Sequence, residues 1–576
     1  MSVVLSEHLP LLASAPDGIQ KLRGLILELA VRGKLVPQNP NDEPASELLK
    51  QIVKERVQQE ENGTGKKSKP TPPVRKDEQA FELPDGWAWV RFADVTSYIQ
   101  RGKGPDYADK SDYVVVSQKC VRWHGLDLSQ ARWITPESFS KYDTIRLLRG
   151  GDVLWNSTGT GTIGRAVVVP SLEAGQVLVA DSHVTVVRSV LMSPIYLWRW
   201  IQSPSVQREI EGSASGSTNQ IELATSTVTA HPLPLPPLAE QHRIVAKVDE
   251  LMALCDRLEA EQADAVGAHA RLVETLLGTL TQSTDAADLA ANWKRLAEHF
   301  DTLFITEASI DALKQTVLQL AVMGKLVPQN VDAEPASGLL KRIEQERARL
   351  EMEGVCKKSK PLHPVSDGEF PFEVPASWKW VRIGNYVLHT DYGLSEKTTE
   401  MTDGVPILKM GDIQAGEVIL GGQKAVPATT EGLPYLFLEP DDLLYNRTNS
   451  AELVGKTGIY RGPSQRYSFA SYLIRIRCAK QITSPKYLNL VMNSPFFRQT
   501  EIVPHLKQQC GQANVNGTIL RNMRIPVPPA EEQHRIVAKV EELMALCGRL
   551  KADLATARQR QGTLADTLIE SALEAA

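Results

Sequence analysis

The 576-residue chain lacks most of what would mark an enzyme, a membrane protein or a metalloprotein. No apolar run is long enough to cross a bilayer. The opening "MSVVLSEHLPLLASAPDG" has no basic lead and carries Glu7 and His8 within its apolar stretch, which argues against a secretory signal. The six cysteines are Cys120, Cys255, Cys356, Cys478, Cys510 and Cys547, with no CxxC pair. They read as buried thiols in a reducing cytoplasm, not as disulfide partners or zinc ligands. There is no GxxxxGK[ST] phosphate loop, no HExxH, no clustered Cys/His spacing and no NPPY-like motif. No Ser/His/Asp set can be nominated. "GTGTIG" (residues 159–164) matches GxGxxG, but the strand-like "RAVVVPS" follows it. A phosphate site needs a helix N-terminus there, so this reads as a Gly-rich turn between strands. The chain reads as non-catalytic, with no cofactor or metal of its own.

What the chain has is a copy of itself. Residues 240–258 and 532–550 agree at 17 of 19 positions. "LAVRGKLVPQN" at Leu29 returns as "LAVMGKLVPQN" at Leu320, "KKSKP" at Lys66 returns at Lys357, "WAWVR" at Trp87 returns as "WKWVR" at Trp378, and "SPIYL" at Ser193 returns as "SPKYL" at Ser484. A period of about 291 residues makes the repeat a half-protein and not a solenoid unit. Each half holds, in order, a helical hairpin, a linker, a strand-rich globule and a long helix.

Periodicity places the helices. Ile19, Leu22, Leu25, Ile26 and Leu29 share a face, with Gly33 as C-cap; Ile310, Leu313, Val317 and Leu320 repeat this before Gly324. A second helix is predicted after the N-caps Asn41 and Asp332, with Pro44 or Pro335 in its first turn. In the repeated helix Ile244, Val248, Leu251, Cys255 and Leu258 are spaced 4, 3, 4, 3, and Ile536, Val540, Leu543, Cys547 and Leu550 match them. That seven-residue seam fits a coiled coil as well as a bundle core, and the duplication favours an antiparallel pairing that also packs on the hairpins. The Pro- and Lys-rich stretches at 63–79 and 354–368 read as exposed linkers. The globules show short β-rich runs, "DYVVVSQ", "RAVVVPS", "HVTVVRS", "VPILKM" and "YLIRIRC", and one helix each from "SPIYL" or "SPKYL". The expected fold is α+β: two globules joined by long antiparallel, coiled-coil-like helices in a pseudo-two-fold tandem duplication.

Net charge is −5, against a generic nucleic-acid binder. Its distribution says more. Residues 87–235 hold 14 Lys and Arg against 13 Asp and Glu, and residues 378–528 hold 17 against 12, so the helical remainder is acidic. The globules are the parts suited to a groove. Several of their turns carry side chains that can bond base edges. In the first globule these are Arg101 and Lys103 in "QRGKG", Lys119 and Arg122 in "SQKCVRWHG", Asn156, Ser157, Thr158 and Arg165 in "NSTGTGTIGR", and Ser217, Thr218, Asn219 and Gln220 in "SGSTNQ". In the second they are Lys397, Lys409, Arg447 and Asn449, then Lys456, and Lys507, Gln508, Gln512 and Asn514 in "KQQCGQANVN". Turn or capping duty competes with reading at each. Asn156 and Asn446 end the same strand in both halves, which fits a scaffold role.

"PLAEQHRIVAKVDELMALCDRLE" after a Pro-rich lead resembles the conserved helix of the specificity subunit of Type I restriction-modification systems. "LAVxGKLVPQN…EPASxLLK", "GDVLWNSTGTGTIGRAVVV" and "GSTNQIEL" resemble further segments of that family, over nearly the whole chain. The second half departs from it: "DDLLYNRTNSAELVGKTG" and "CGQANVNG" replace the Gly-rich and Gly-Ser-Thr turns. The resemblance implies a helical hairpin at 1–62, a linker at 63–80, an α/β target-recognition domain at 81–237, central conserved helices at 238–353, a linker at 354–369, a second target-recognition domain at 370–529 and a conserved helix at 530–576. It implies double-stranded DNA as ligand, and two modification subunits and restriction subunits as partners in the cytoplasm, with no membrane. S-adenosylmethionine, ATP and Mg are implied on those partners. The long helices would set an unread spacer between two unlike half-sites. A self-contained methyltransferase or nuclease, and a coiled-coil scaffold that reads no DNA, are the competing readings.

Overall fold

Gly33 and Gly324 end the first hairpin helices as their spacing requires. Both have positive φ, 68° and 71°, and a Cβ at Gly33 would stand 2.5 Å from Pro84 Cγ. The structure, a computed structural model, describes residues 10–63, 71–159, 161–214, 222–330, 332–356, 358, 362–509 and 512–575. Two units divide the chain: described residues up to Asp264 with those from Ala557 form the first, and Ala265–Thr556 the second.

In the first unit the hairpin is Gly18–Val31 and Ala45–Glu61. The expected N-cap at Asn41 is not used. Pro44 precedes the helix in extended conformation, and the Ala45 amide is capped by Gly86 O at 2.8 Å. The second unit repeats the exception: Pro335 precedes Ala336–Met352, and Ala336 N donates to Ser377 O at 2.9 Å. A carbonyl at the edge of the globule thus does the work assigned to Asn41 and Asp332, which ties each hairpin to its globule.

The β-branched runs form the predicted strands. The first globule has an antiparallel sheet ordered Thr96–Arg101, Val184–Ser189, Val153–Asn156, Ala166–Val168. Beside it lies a sheet ordered Leu178–Ala180, Val114–Val116, Arg132–Ile134, Tyr107–Ala108, whose first pair is parallel. The second globule has a six-stranded sheet with His389–Tyr392, Leu473–Arg477, Leu443–Asn446 and Thr457–Ile459 in the matching order. A bidentate pair, buried in the first globule and partly buried in the second, backs each sheet: Arg188 Nε and Nη2 donate to Asp152 at 2.7 and 2.8 Å, and Arg477 Nε and Nη2 to Asp442 at 2.7 and 2.5 Å. The helix expected from "SPIYL" is two helices, Pro194–Gln202 and Pro204–Ala214, because Pro204 breaks it; its counterpart Pro485–Met492 stops before Pro495.

The chain enters and leaves each globule on one antiparallel ribbon, Ala88–Arg91 with Pro232–Leu235, and Lys379–Arg382 with Arg524–Val527. That ribbon delivers the first residues of a long helix to a buried joint. In the first unit Glu240 is 1% exposed and accepts from Gln38 Nε2 at 2.7 Å and Trp87 Nε1 at 2.9 Å. Gln241, fully buried, accepts from Ser193 N at 2.9 Å and donates to Pro236 O at 3.0 Å. In the second unit Glu532 accepts from Gln329 Nε2 at 2.6 Å beside Trp378, and Gln533 accepts from Ser484 N and Tyr386 Oη at 2.9 Å each. The repeated words "LVPQN", "WxW", "SP" and "EQHR" therefore meet at one point in each unit.

The long helices are Leu238–Gln282 and Ala530–Ala575. Their seams enter the cores of the units: Ile244, Val248, Leu251 and Cys255 in the first, with Ala572 from the end of the second long helix. In the second unit Ile536, Val540 and Cys547 share a core with Val273, Leu277 and Leu280. Between these cores, residues 259–266 and 555–561 are exposed. Five of the cysteines, all but Cys510, are buried free thiols; Cys510 lies outside the described residues.

The described part of each linker is largely exposed, the buried Cys356 apart, but clamped. Arg91 donates to Pro72 O at 3.1 Å, Pro73 O at 3.2 Å and Glu78 Oε2 at 2.7 Å, and Arg382 holds His363 O at 3.0 Å and Glu369 Oε1 at 3.0 Å.

Two outcomes follow from these contacts. Glu240→Ala strands the buried Trp87 Nε1 and removes the acceptor of the Gln38 amide, and Glu532→Ala removes the acceptor of the Gln329 amide, at roughly 1–3 kcal/mol in all for each change. Urea midpoints followed by circular dichroism should fall accordingly, while Glu261→Ala, on an exposed stretch, leaves the midpoint unchanged. Acid should act on the linker clamps. Arg91, with the Arg75 amide, holds the Glu78 carboxyl down at about 2, and the Ser366 amide and hydroxyl with Arg382 hold Glu369 at about 2. A lowered folded-state value gives stabilisation that is complete above the ordinary value of 4.5 and is lost as pH falls toward 2. Burial raises the carboxyls of Glu240 and Glu532, so those two favour the fold increasingly as pH falls from neutral. Near-ultraviolet dichroism of a Glu78→Gln, Glu369→Gln chain should show a shallower acid transition than the parent; superimposable curves would exclude the clamps.

Candidate nucleic-acid interface

The strand Val153–Asn156 delivers the first globule's turn. Asn156 is fully buried, and its Nδ2 donates to Gln118 O at 3.1 Å and Thr162 O at 3.2 Å. Ser157 is fully buried too, its Oγ 2.5 Å from Thr185 Oγ1. Both were candidates for base contact, and burial corrects that: they hold the turn and do not face solvent. Gly159, Gly161 and Gly164 all have positive φ, and a Cβ on Gly159 would stand 2.3 Å from Gln118 Oε1. A strand, Ala166–Val168, follows this turn.

Beyond the buried pair the chain surfaces. Thr158 Oγ1 lies 2.6 Å from His183 Nδ1, and Thr158 bridges to Glu222. Arg101 ion-pairs with Glu222. Lys103 donates to Lys141 O and stands 6.0 Å over the Tyr142 ring. Arg165 Nη2 is turned back onto Gly161 O at 2.7 Å, and Arg122 lies 3.9 Å from Asp127. Lys119 is exposed. Ser217, Thr218, Asn219 and Gln220 lie outside the described residues.

The second globule gathers more of its candidates. Asn446 is buried, with Nδ2 on Leu453 O at 3.3 Å, and so repeats the scaffold role of Asn156. Arg447 stacks 5.0 Å over the Tyr392 ring and donates to Ser471 O at 3.1 Å and Asn514 Oδ1 at 3.2 Å. An open cleft of about 810 Å³ brings together Lys397, Lys409, Arg447 and Asn514, with Lys424 and Tyr472. Lys409 Nζ donates to Thr398 Oγ1 at 2.8 Å, and Lys424 pairs with Glu400 at 3.2 Å. Four cations against Glu396 and Glu400 leave the cleft electropositive, as a phosphate-bearing ligand requires. Asn449 is occupied locally, its Oδ1 accepting from Ser450 N at 2.8 Å. Lys456 is exposed and does not line the cleft. The backbones of Lys507, Gln508 and Gln512 lie in the strands Lys507–Gln509 and Gln512–Asn514; their side chains are outside the described residues.

Sequence reasoning missed His183, Glu222, Tyr392, Lys424 and Tyr472. The register that brings 183 beside 158 and 472 beside 447 is a tertiary fact; the only local signal is the matched "DSHV" and "ASYL" before the central strands.

Asn156→Ala should cost roughly 1–3 kcal/mol, since the buried amide that ties the Gln118 and Thr162 carbonyls together is lost. Lys456→Ala should stay within about 0.5 kcal/mol of the parent. Paired urea titrations check both; equal midpoints would remove Asn156 from the scaffold.

No helix among the described residues is long and apolar enough to cross a membrane, and none of their His, Cys, Asp and Glu side chains cluster in a metal-holding group of three. Residues 84–267 and 378–555 match the family described as Type I restriction modification DNA specificity domain. The EcoEI specificity subunit of Escherichia coli is 38% identical over 564 residues, 96% of this chain and 94% of that one. The EcoAI specificity subunit of Escherichia coli is 38% identical over 568 residues, with the same coverage. A solved chain from work on complex assembly and conformational transition of the type I R-M system superposes with TM-score 0.50 over 86% of this chain and 99% of its own, at 17% identity, which shows a shared fold. With both globules and both repeated helices inside the matched segments, the chain belongs to the specificity subunits of Type I restriction-modification systems.

Proposed function

We propose that the chain reads a bipartite, asymmetric duplex target, one half-site per globule, and seats two modification subunits plus restriction subunits. Adenine methylation with S-adenosylmethionine and ATP- and Mg-dependent cleavage belong, in this reading, to those partners, in the cytoplasm. The observation that carries it is a shared frame with unlike faces: Asn156 and Asn446 end matching strands, yet a buried Ser157 follows the first and a partly exposed Arg447 the second. Equivalent joints at Glu240 and Glu532 give two equivalent platforms, which suits two copies of one partner. A helix of 45 residues is about 68 Å long, two turns of duplex at about 34 Å each.

Co-expression of the chain with its modification subunit, followed by mapping of methylated adenines, should give one two-part motif with unlike halves. A contiguous motif, or methyl transfer by the chain alone, would refute the reading. Inserting four residues into both exposed stretches, 259–266 and 555–561, lengthens each helix by about 6 Å. At about 3.4 Å per base pair the spacer should grow by one or two base pairs with both half-sites unchanged.

A further inference from the structure

The strand registers match the two globules position by position. Thr185 pairs with Arg101 and Val184 with Asn156; Ile474 pairs with Tyr392 and Leu473 with Asn446. Arg101 therefore occupies the place of Tyr392, Ser157 that of Arg447, and His183 that of Tyr472. The bridge of Thr158 to Glu222 and the pairing of Thr448 with Asn514 put Glu222 in the place of Asn514. The next glycines confirm the alignment: a Cβ on Gly102 would meet Ala180 O at 2.0 Å, and one on Gly393 would meet Phe469 O at 2.2 Å.

On this common frame each globule holds one guanidinium against the same position. In the first it comes from the edge strand, Arg101 on Glu222; in the second it comes from the central strand's exit, Arg447 on Asn514. Neither arginine is used up. Arg101 Nε and Nη2, and Arg447 Nε, are buried donors with no hydrogen-bond partner among the described residues, so each fork keeps donors that only an acceptor brought to it would satisfy. A guanidinium is a planar fork of five donors that matches two acceptors side by side. Arg101, facing the Glu222 carboxylate, is a poor phosphate ligand, because a phosphate would approach that charge as well. Arg447 lies over the Tyr392 ring, 5.0 Å from its centre, and its two terminal nitrogens are held by Ser471 O and Asn514 Oδ1, which restrains its fork.

We propose that Arg101 and Arg447 are the base-reading groups of the two globules, each donating to O6 and N7 of one guanine, and that Glu222 and Asn514 are positioning residues that aim them. This rests on the chain reading DNA, and the test separates the two claims. The assembled complex of full chain and modification subunit is titrated with duplexes of its mapped target in which one guanine at a time is 7-deazaguanine. One position in each half-site should lose roughly 5- to 150-fold in binding. Arg101→Ala should abolish that sensitivity at one position and Arg447→Ala at the other, each leaving the opposite half-site as its internal control of folding. Glu222→Gln should reduce discrimination at the Arg101 position alone and steepen the salt dependence, which a merely structural role would not do. Uniform weakening over all duplexes, with the salt slope reduced by about one per arginine, would mark phosphate contacts and overturn the proposal. So would sensitivity unchanged by either substitution. A parent complex with no sequence preference overturns both this inference and the DNA-reading function.

Discussion

A buried carboxylate at the start of each long helix is the constraint on which the rest depends. Glu240 cannot sit at 1% exposure unless donors meet it, and Gln38 and Trp87 are those donors. Gln38 also bonds Gly33 O at 3.0 Å, so the carboxylate reaches the C-cap of the hairpin through it. Gln241, one residue on, caps the ribbon that closes the globule. Helix, hairpin and globule are thus fastened within two residues. Glu532 and Gln533 do the same in the second unit, with Gln329 in place of Gln38 and bonded to Gly324 O at 3.1 Å. Changing any one of these residues leaves a buried polar group unpaired, which accounts for the near identity of the two copies on physical grounds.

Away from the joints the copies are free to differ, and they do so where the strands end. Arg188 with Asp152 and Arg477 with Asp442 hold the two sheets alike. Asn156 and Asn446 close the two turns alike. Beyond them the copies part: a buried Ser157 gives way to a partly exposed Arg447, His183 to Tyr472, Glu222 to Asn514. A rigid, repeated interior thus carries an unlike exterior, the arrangement a two-part reader needs.

Much of this was legible in the amino-acid sequence because it is local. The 4-3-4-3 spacing from Ile244 marks a buried stripe, Gly33 marks a helix end, and "HVTVVRS" marks a strand; each rests on near neighbours. The Gly-rich turn at 159–164 was readable as a non-phosphate loop from the strand behind it. What escaped is what long range decides. The amide of Ala45 is capped by Gly86, so Asn41 is not the helix cap. Arg101 finds Glu222 across 121 residues, and only sheet register puts His183 beside Thr158. Asn156 looked like a reader because its residue type suits adenine; burial, invisible in a turn motif, assigns it to the scaffold.

If equivalent joints carry unlike readers, the readers must be interchangeable. The direct test is a chain in which residues 378–528 are replaced by residues 87–236, so that both joints hold the first globule, assembled with the modification subunit and assayed by mapping methylated adenines. Methylation at targets built from two copies of the first half-site is expected. Retention of the original asymmetric target, or a target related to neither half-site, would contradict the claim that each globule reads its own bases on a common frame.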